Sequence, residues 1–270
     1  MAESVKNYSG PLLFARYALP PNELGYCGPD DWNALFSYAT ADDRASVDGD
    51  LRRIGRVFHG ALPYLELIAE TTGIGDPFDQ RVVHAYWVGN HLLERVPLLG
   101  FGNSLRDRFH GRIGTGWMNF TDQLTTSSVP HHSFHVFCVY PWVGLLRAGQ
   151  ADVSLQVLDR CRIRTGTVVE LIGDVAVVRY RPLILSGERI EVGPKATEVV
   201  KVAHQGITFL DRVEPGDTVS LHWDWVCDVI SRSEAGAIDR YMMRHLDGVN
   251  RGANDGVRPF AYGPPANVGP

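Results

Sequence analysis

The sequence contains no C-x-x-C pair. Its four cysteines, Cys27, Cys138, Cys161 and Cys227, stand singly, so nothing in their spacing points to a disulfide framework or a cysteine zinc knuckle. Positive charge is not in excess either: 26 basic side chains face 31 acidic ones, a formal net charge of −5. That leaves no basic footprint of the kind nucleic acid or an anionic membrane attracts. No stretch reaches the roughly 18 apolar residues of a membrane span, and the opening MAESVKNYSGPLLFARYALPP has no long apolar core followed by a cleavage site. A cytoplasmic protein with no nucleic-acid partner and no membrane is expected. Phosphate loop, dinucleotide glycine fingerprint and G-x-S-x-G elbow are all missing, and no nucleophile is paired with a base and an orienting acid. A non-enzymatic role is the expectation.

The hydrophobic pattern changes once along the chain. From Ser46 to Thr71 the apolar positions Val47, Leu51, Ile54, Phe58, Leu62, Leu65 and Ile68 recur every three or four residues, the period of an amphipathic helix, with Pro63 set to kink or divide it. Trp32–Thr40, Asp79–Gly89, Asn103–Phe109 and the apolar run Pro130–Arg147 also read as helical. In the last of these Ser128 is the cap, Pro130 suits the first turn and Gly149 the stop. After Ala151–Leu158 the period becomes alternating and β-branched residues take over. Arg162–Leu171, Ala176–Leu185, Glu188–Val192, Glu198–Ala203 and Thr218–Val226 read as strands separated by glycine-containing turns, which implies a small closed barrel. Ser231 and Glu234 form an S-x-x-E capping box that opens a further helix. The reading is an α+β protein: a mainly helical domain over 1–150, a five-stranded OB-like β-barrel with a C-terminal helix over 151–250, and a Gly/Pro/Asn-rich flexible tail over 251–270.

Two blocks in the second part carry a family resemblance. The first is C-R-I-R-T-G-T-V-V-E-L-I-G-D-V-A-V-V from Cys161, with landmarks at Cys161, Gly166, Gly173 and Ala176-Val178. The second is P-G-D-T-V-S-L-H-W-D-W-V-C-D-V-I-S-R-S-E-A from Pro215, with His222 at the end of a strand and Ser231 and Glu234-Ala235 at a helix start. Together they resemble the HypC/HupF family of [NiFe]-hydrogenase assembly chaperones. The resemblance implies that Cys161 and His222 transiently hold an iron bearing cyanide and carbon monoxide ligands. It also implies that the chain docks on the hydrogenase large-subunit precursor, on a maturation scaffold protein, or on both. The donor types suit that cargo, a thiolate being a soft ligand and a neutral imidazole a borderline one. In the family the cysteine is N-terminal; here it is internal and is followed by Arg162 and Arg164, which are expected to lower its thiol pKa or bind the cyanides. Strand alternation sets His222 and Asp224 on one face, where Asp224 orients the histidine or meets a partner.

The helical part holds a second candidate. His131 and His135, four apart, would share a helix face, and with His132 or Cys138 nearby they could hold a metal in a metal-dependent enzyme, the barrel then serving for docking. A third reading is a pure interaction module. Cys27, in Gly25-Tyr26-Cys27-Gly28-Pro29-Asp30-Asp31, reads first as part of a turn that opens the helix at Trp32, with an aspartate as its cap.

Overall fold

The computed structural model describes residues 8–43, 45–113 and 128–254. Its central element was not anticipated from the sequence. Helix α1 (Gly10–Glu23) is capped by Ser9, whose hydroxyl accepts from the Leu12 amide, and every residue from Gly10 to Asn22 is buried. A helix covered on all sides shows no amphipathic contrast, and this one carries Pro20 and Pro21 in its last turn, so periodicity alone does not reveal it. Gly10 is required by close approach: a Cβ there would sit 1.9 Å from the Phe78 carbonyl oxygen.

Helices α2 (Trp32–Ala39), α3 (Asp48–Gly55), α4 (Leu62–Thr72) and α5 (Gln80–Trp87) follow, with α1 packed against α2, α3 and α5. The long helix expected from Ser46 is divided before Pro63, which falls in the first turn of α4 where its missing N–H costs nothing. Asp31 and Asp79 cap α2 and α5. Helix α6 (Leu98–Ile113) extends the segment expected at Asn103–Phe109.

The helix expected over Pro130–Arg147 is broken. His131 is an extended N-cap accepting from the Ser133 amide. One turn, α7 (His132–Phe134), runs into a π-helical stretch His135–Val139, and Tyr140 leaves the helix before Pro141. The residue before a proline is forced out of the helical region, which accounts for the break. Chain direction then resumes in α8 (Trp142–Arg147), stopped at Gly149 with φ +95°, and α9 (Ala151–Cys161).

Seven strands follow: β1 (Arg164–Ile172), β2 (Val175–Tyr180), β3 (Leu183–Ser186), β4 (Arg189–Val192), β5 (Ala196–Lys201), β6 (Thr218–His222) and β7 (Trp225–Val229). Five of them close on themselves in the order β1-β2-β5-β7-β6, the β5–β7 contact being parallel, while β3 and β4 form a separate hairpin. The expected strand Ala176–Leu185 is therefore two strands broken at Arg181-Pro182. The expected strand Thr218–Val226 is the β6–β7 hairpin, turning at Trp223-Asp224 with His222 paired to Trp225. That turn lacks glycine and asparagine, and Trp223 takes φ +51°, so turn chemistry gave no signal for it. Helix α10 (Arg232–Asn254) opens with the expected capping box: Ser231 Oγ accepts from the Glu234 amide and Glu234 Oε2 accepts from the Ser231 amide. The helix runs four residues into the expected tail, and residues 255–270 lie outside the described residues.

One hydrophobic core joins the α1–α5 helices to the ring. It runs from Leu12, Phe14 and Tyr17 through Tyr86 and Trp87 to Val178, Val219, Leu221 and Trp225. The polar joint within it is Arg16, 1% exposed, whose Nη1 donates to Asp228 on β7 at 3.3 Å, while the Tyr8 hydroxyl donates to the same carboxylate and Tyr17 and Ser220 share a hydroxyl bond of 2.8 Å. Removing one member of a buried ion pair strands the other. Arg16→Leu is therefore expected to lower the unfolding free energy by about 3 kcal/mol, read by chemical denaturation; an unchanged midpoint would show that the pair does not hold α1 in place.

Burial also sets an acid limit. His245 on α10 donates from Nδ1 to Ser133 Oγ at 2.7 Å while Nε2 accepts from the Val129 amide, and burial lowers its pKa from 6.5 to about 3. His135, beside Tyr64, is lowered by burial to about 3 as well. Below pH 6.5 the unfolded chain binds protons that the folded chain refuses, so stability is complete above that pH and is lost as pH falls towards 3, by about 1.4 kcal/mol per pH unit for each such histidine. His245→Asn should make the measured stability–pH slope between pH 5.5 and 3.5 shallower by that amount.

Candidate metal centre

Among the described residues, one group of three metal-ligating side chains converges: His132, Cys161 and His222, with one donor atom from each lying within 4.8 Å of the others. Three separate elements deliver them. His132 opens α7, Cys161 is the last residue of α9, and His222 is the last residue of β6, just before the strained Trp223 turn. They are 5%, 6% and 1% exposed.

Hydrogen bonds fix both imidazoles. A carbonyl oxygen only accepts, so His222 donates from Nδ1 to Tyr17 O at 2.7 Å, and its lone pair is on Nε2, a buried atom with no hydrogen-bond partner. His132 donates from Nε2 to Cys161 O at 2.8 Å, and its Nδ1 lies 3.3 Å from the Tyr86 hydroxyl. Ring N–H groups held by backbone carbonyls are the outer contacts that orient metal-bound histidines. Burial drives the pKa of His132 down from 6.5 to about 4 and that of His222 well below its ordinary value, so both rings are neutral donors at neutral pH.

The two rings meet edge to face at 5.0 Å, and Trp87 packs against both. A cavity of about 60 Å³ adjoins them, with Tyr26, Phe58, Trp87, Trp142 and Trp223 among its walls and Cys27 and His135 at its edge. One of these walls carries a buried indole N–H without an acceptor, Trp87 Nε1, while the Trp223 indole is set against the Cys161 thiol. A bare imidazole lone pair and an unmatched donor at one small cavity fit a bound group with a metal at one end and a hydrogen-bond acceptor at the other. N and S donors bind first-row ions at about 2.0–2.3 Å, so the three side chains must draw together around an ion.

The remaining expected site residues lie elsewhere. Arg162 is turned to Asp159 and the Arg181 carbonyl, and Arg164 to Glu198 and the Trp223 carbonyl. The lowered thiol pKa expected from these arginines is not found: burial pushes the Cys161 thiol up, Trp223 offsetting this only in part, and the C-terminal end of α9 disfavours a thiolate. Asp224 is in the turn, paired with Arg160, and Tyr17 O orients His222 in its place. His131 and His135 do not share a helix face. His131 bonds Ser133 and stacks on Tyr241, His135 bonds Tyr64, and only His132 of that trio meets the cysteine. Sequence reading placed His132 in the rival set, and no signal within either segment links them. Trp87 and Tyr17 carried no sequence signal for a site role at all.

No curated protein and no solved structure matches the chain. A family model described as "Family of unknown function (DUF6390)" matches residues 6–255. The chain belongs to that family.

Proposed function

We propose that this protein is a metal-handling assembly factor in which Cys161, His132 and His222 hold iron carrying cyanide and carbon monoxide. In this reading it delivers its cargo to the [NiFe]-hydrogenase large-subunit precursor or exchanges it with a maturation scaffold. The observation that carries the reading is the meeting of Cys161 with His222, each in register with the hydrogenase chaperones in sequence, in one buried cluster that also leaves the His222 Nε2 lone pair unmatched.

The local chemistry agrees with that cargo. Cys161 supplies a soft sulfur donor and the histidines borderline nitrogen donors, the mixture that suits iron in a strong ligand field. Trp87 offers an N–H group to acceptors, and the nitrogen ends of metal-bound cyanides are acceptors. The aromatic walls keep out water that would compete for the iron. The thiol must lose its proton when it ligates. Because burial holds that proton on Sγ beforehand, metal uptake releases it, and the apo site stays neutral. No step here makes or breaks a substrate bond, in keeping with a carrier.

The test is infrared spectroscopy on protein isolated anaerobically with the maturation machinery. Cyanide and carbonyl bands are expected in the wild type and should vanish in Cys161→Ala. Retained iron should fall about tenfold or more in His132→Ala. Bands that survive Cys161→Ala, or wild type that carries neither iron nor bands, would sink the proposal.

A further inference from the structure

A cleft of about 490 Å³ lies between the ring and α10, lined in part by Arg162, within the size range of small-molecule sites. It is built in layers. Thr167 on β1 stands directly opposite Arg179 on β2 and opposite Thr218 on β6, so three polar side chains lie side by side on one face. Arg181, two residues beyond Arg179, adds a second guanidinium, and Lys195, just before β5, an ammonium. Arg162 closes the base.

Of the three cations Arg179, Arg181 and Lys195, Arg181 is held by hydrogen bonds, while Arg179 and Lys195 are exposed at the mouth. Arg162 holds the Arg181 carbonyl at 2.7 Å, and Arg181 Nε donates to Gly193 O at 2.8 Å, which leaves its outer nitrogens for a ligand. Arg162 is neutralised by Asp159. Arg179, Arg181 and Lys195 form no ion pair among the described residues. The single acid lining the cleft is Asp239, which accepts from Thr165 at 3.1 Å. The opposite wall is apolar, formed by Val192, Met242 and Met243, and methionine walls adapt to varied shapes.

We propose that this cleft binds a small organophosphate: one or two phosphate groups on Arg179, Arg181 and Lys195, with the organic body against Met242 and Met243. Three cations set against the one carboxylate of Asp239, on a chain of net charge −5, concentrate anions there. Guanidinium forks match phosphate oxygens in pairs, and a phosphate offers more acceptor oxygens to three converging cations than a carboxylate does. The volume exceeds what an inorganic anion fills, and the apolar wall accounts for the remainder.

Calorimetric titration of the full chain tests this with pyrophosphate, ADP, citrate and adenosine as probes. Pyrophosphate and ADP are expected to bind saturably, with citrate about tenfold weaker and adenosine without measurable binding. Arg179→Gln combined with Lys195→Gln should weaken ADP binding about a hundredfold, roughly a factor of ten for each cation removed. Asp239→Asn, which keeps the acceptor for Thr165 but removes the like charge, should tighten it. Circular dichroism melts establish that each variant is folded. The proposal fails if no phosphate probe binds, if citrate binds as tightly as ADP, if adenosine binds as well as ADP, or if the folded double variant binds ADP undiminished. Cys161→Ala should bind ADP as the wild type does, which keeps this outcome separate from that of the metal centre.

Discussion

The seating of α1 against β6 and β7 is the constraint on which the rest of the molecule depends. Arg16 and Asp228 are both almost out of solvent, and two buried charges repay their desolvation only when geometry and extra hydrogen bonds are right. Tyr8 supplies one such bond to Asp228, and Tyr17 with Ser220 extends the polar seam by one residue. A pair of this kind contributes position more than net stability. Its position matters because the residue after Arg16 is Tyr17, whose backbone carbonyl fixes the His222 ring. The register that matches Arg16 to Asp228 is the same register that aims His222 Nε2 at Cys161 and His132. Fold and site therefore rest on one docking event between the first helix and the last hairpin of the ring.

This explains what could be read from the sequence and what could not. Wherever an element has one wet face and one dry face, its period was visible: α3 with α4, α5, the capping box of α10, and the alternation of the ring strands. Cys161 and His222, which the resemblance to the hydrogenase chaperones singles out, do converge in the structure. Helix α1 was missed because burial on every side erases the contrast that periodicity reports. The Trp223-Asp224 turn was missed because it lacks the usual turn residues. The tryptophan is held at positive φ by the hydrogen bond its N–H donates to Arg160 O, by Arg164 on its carbonyl, and by stacking on Tyr26 at 4.4 Å. These are all tertiary contacts. His132 is grouped by spacing with His131 and His135 but lies beside Cys161 and His222, because the chain there is an extended cap followed by a π-helical turn and not a regular helix.

Adjacency in sequence misled most clearly at the cysteine. Arg162 and Arg164 follow Cys161, yet α9 ends at the cysteine and the chain turns extended, which carries both guanidinium groups to carboxylates of their own. A cation already neutralised by Asp159 or Glu198 has little field left for a thiol, and removal from water then decides the sign of the shift. The consequence is chemical: a neutral thiol between two neutral imidazoles makes an apo site with no net charge to bury, so it can exist empty in an aromatic pocket. A preformed thiolate there would need a counter-charge that these arginines do not supply.

On the carrier reading proposed above the cargo must also leave, and the placement of strain points to where the enclosure is weakest. The chain covering the cavity on the α1 side is the loop Gly25–Gly28, with positive φ at both glycines. Asn22 pins it by donating to the Cys27 and Pro29 carbonyls, and Tyr26 clasps Trp223. Tyr26 is partly exposed, whereas the α1 seam beneath it is dry. Parting one aromatic stack costs about 1 kcal/mol beyond its area, far less than separating the Arg16–Asp228 joint. On the metal-handling reading, access to Cys161 therefore runs past Tyr26 and Trp223. In that same proposal a receiving partner would meet the turn whose tryptophan is already strained, while the seam that holds His222 stays closed.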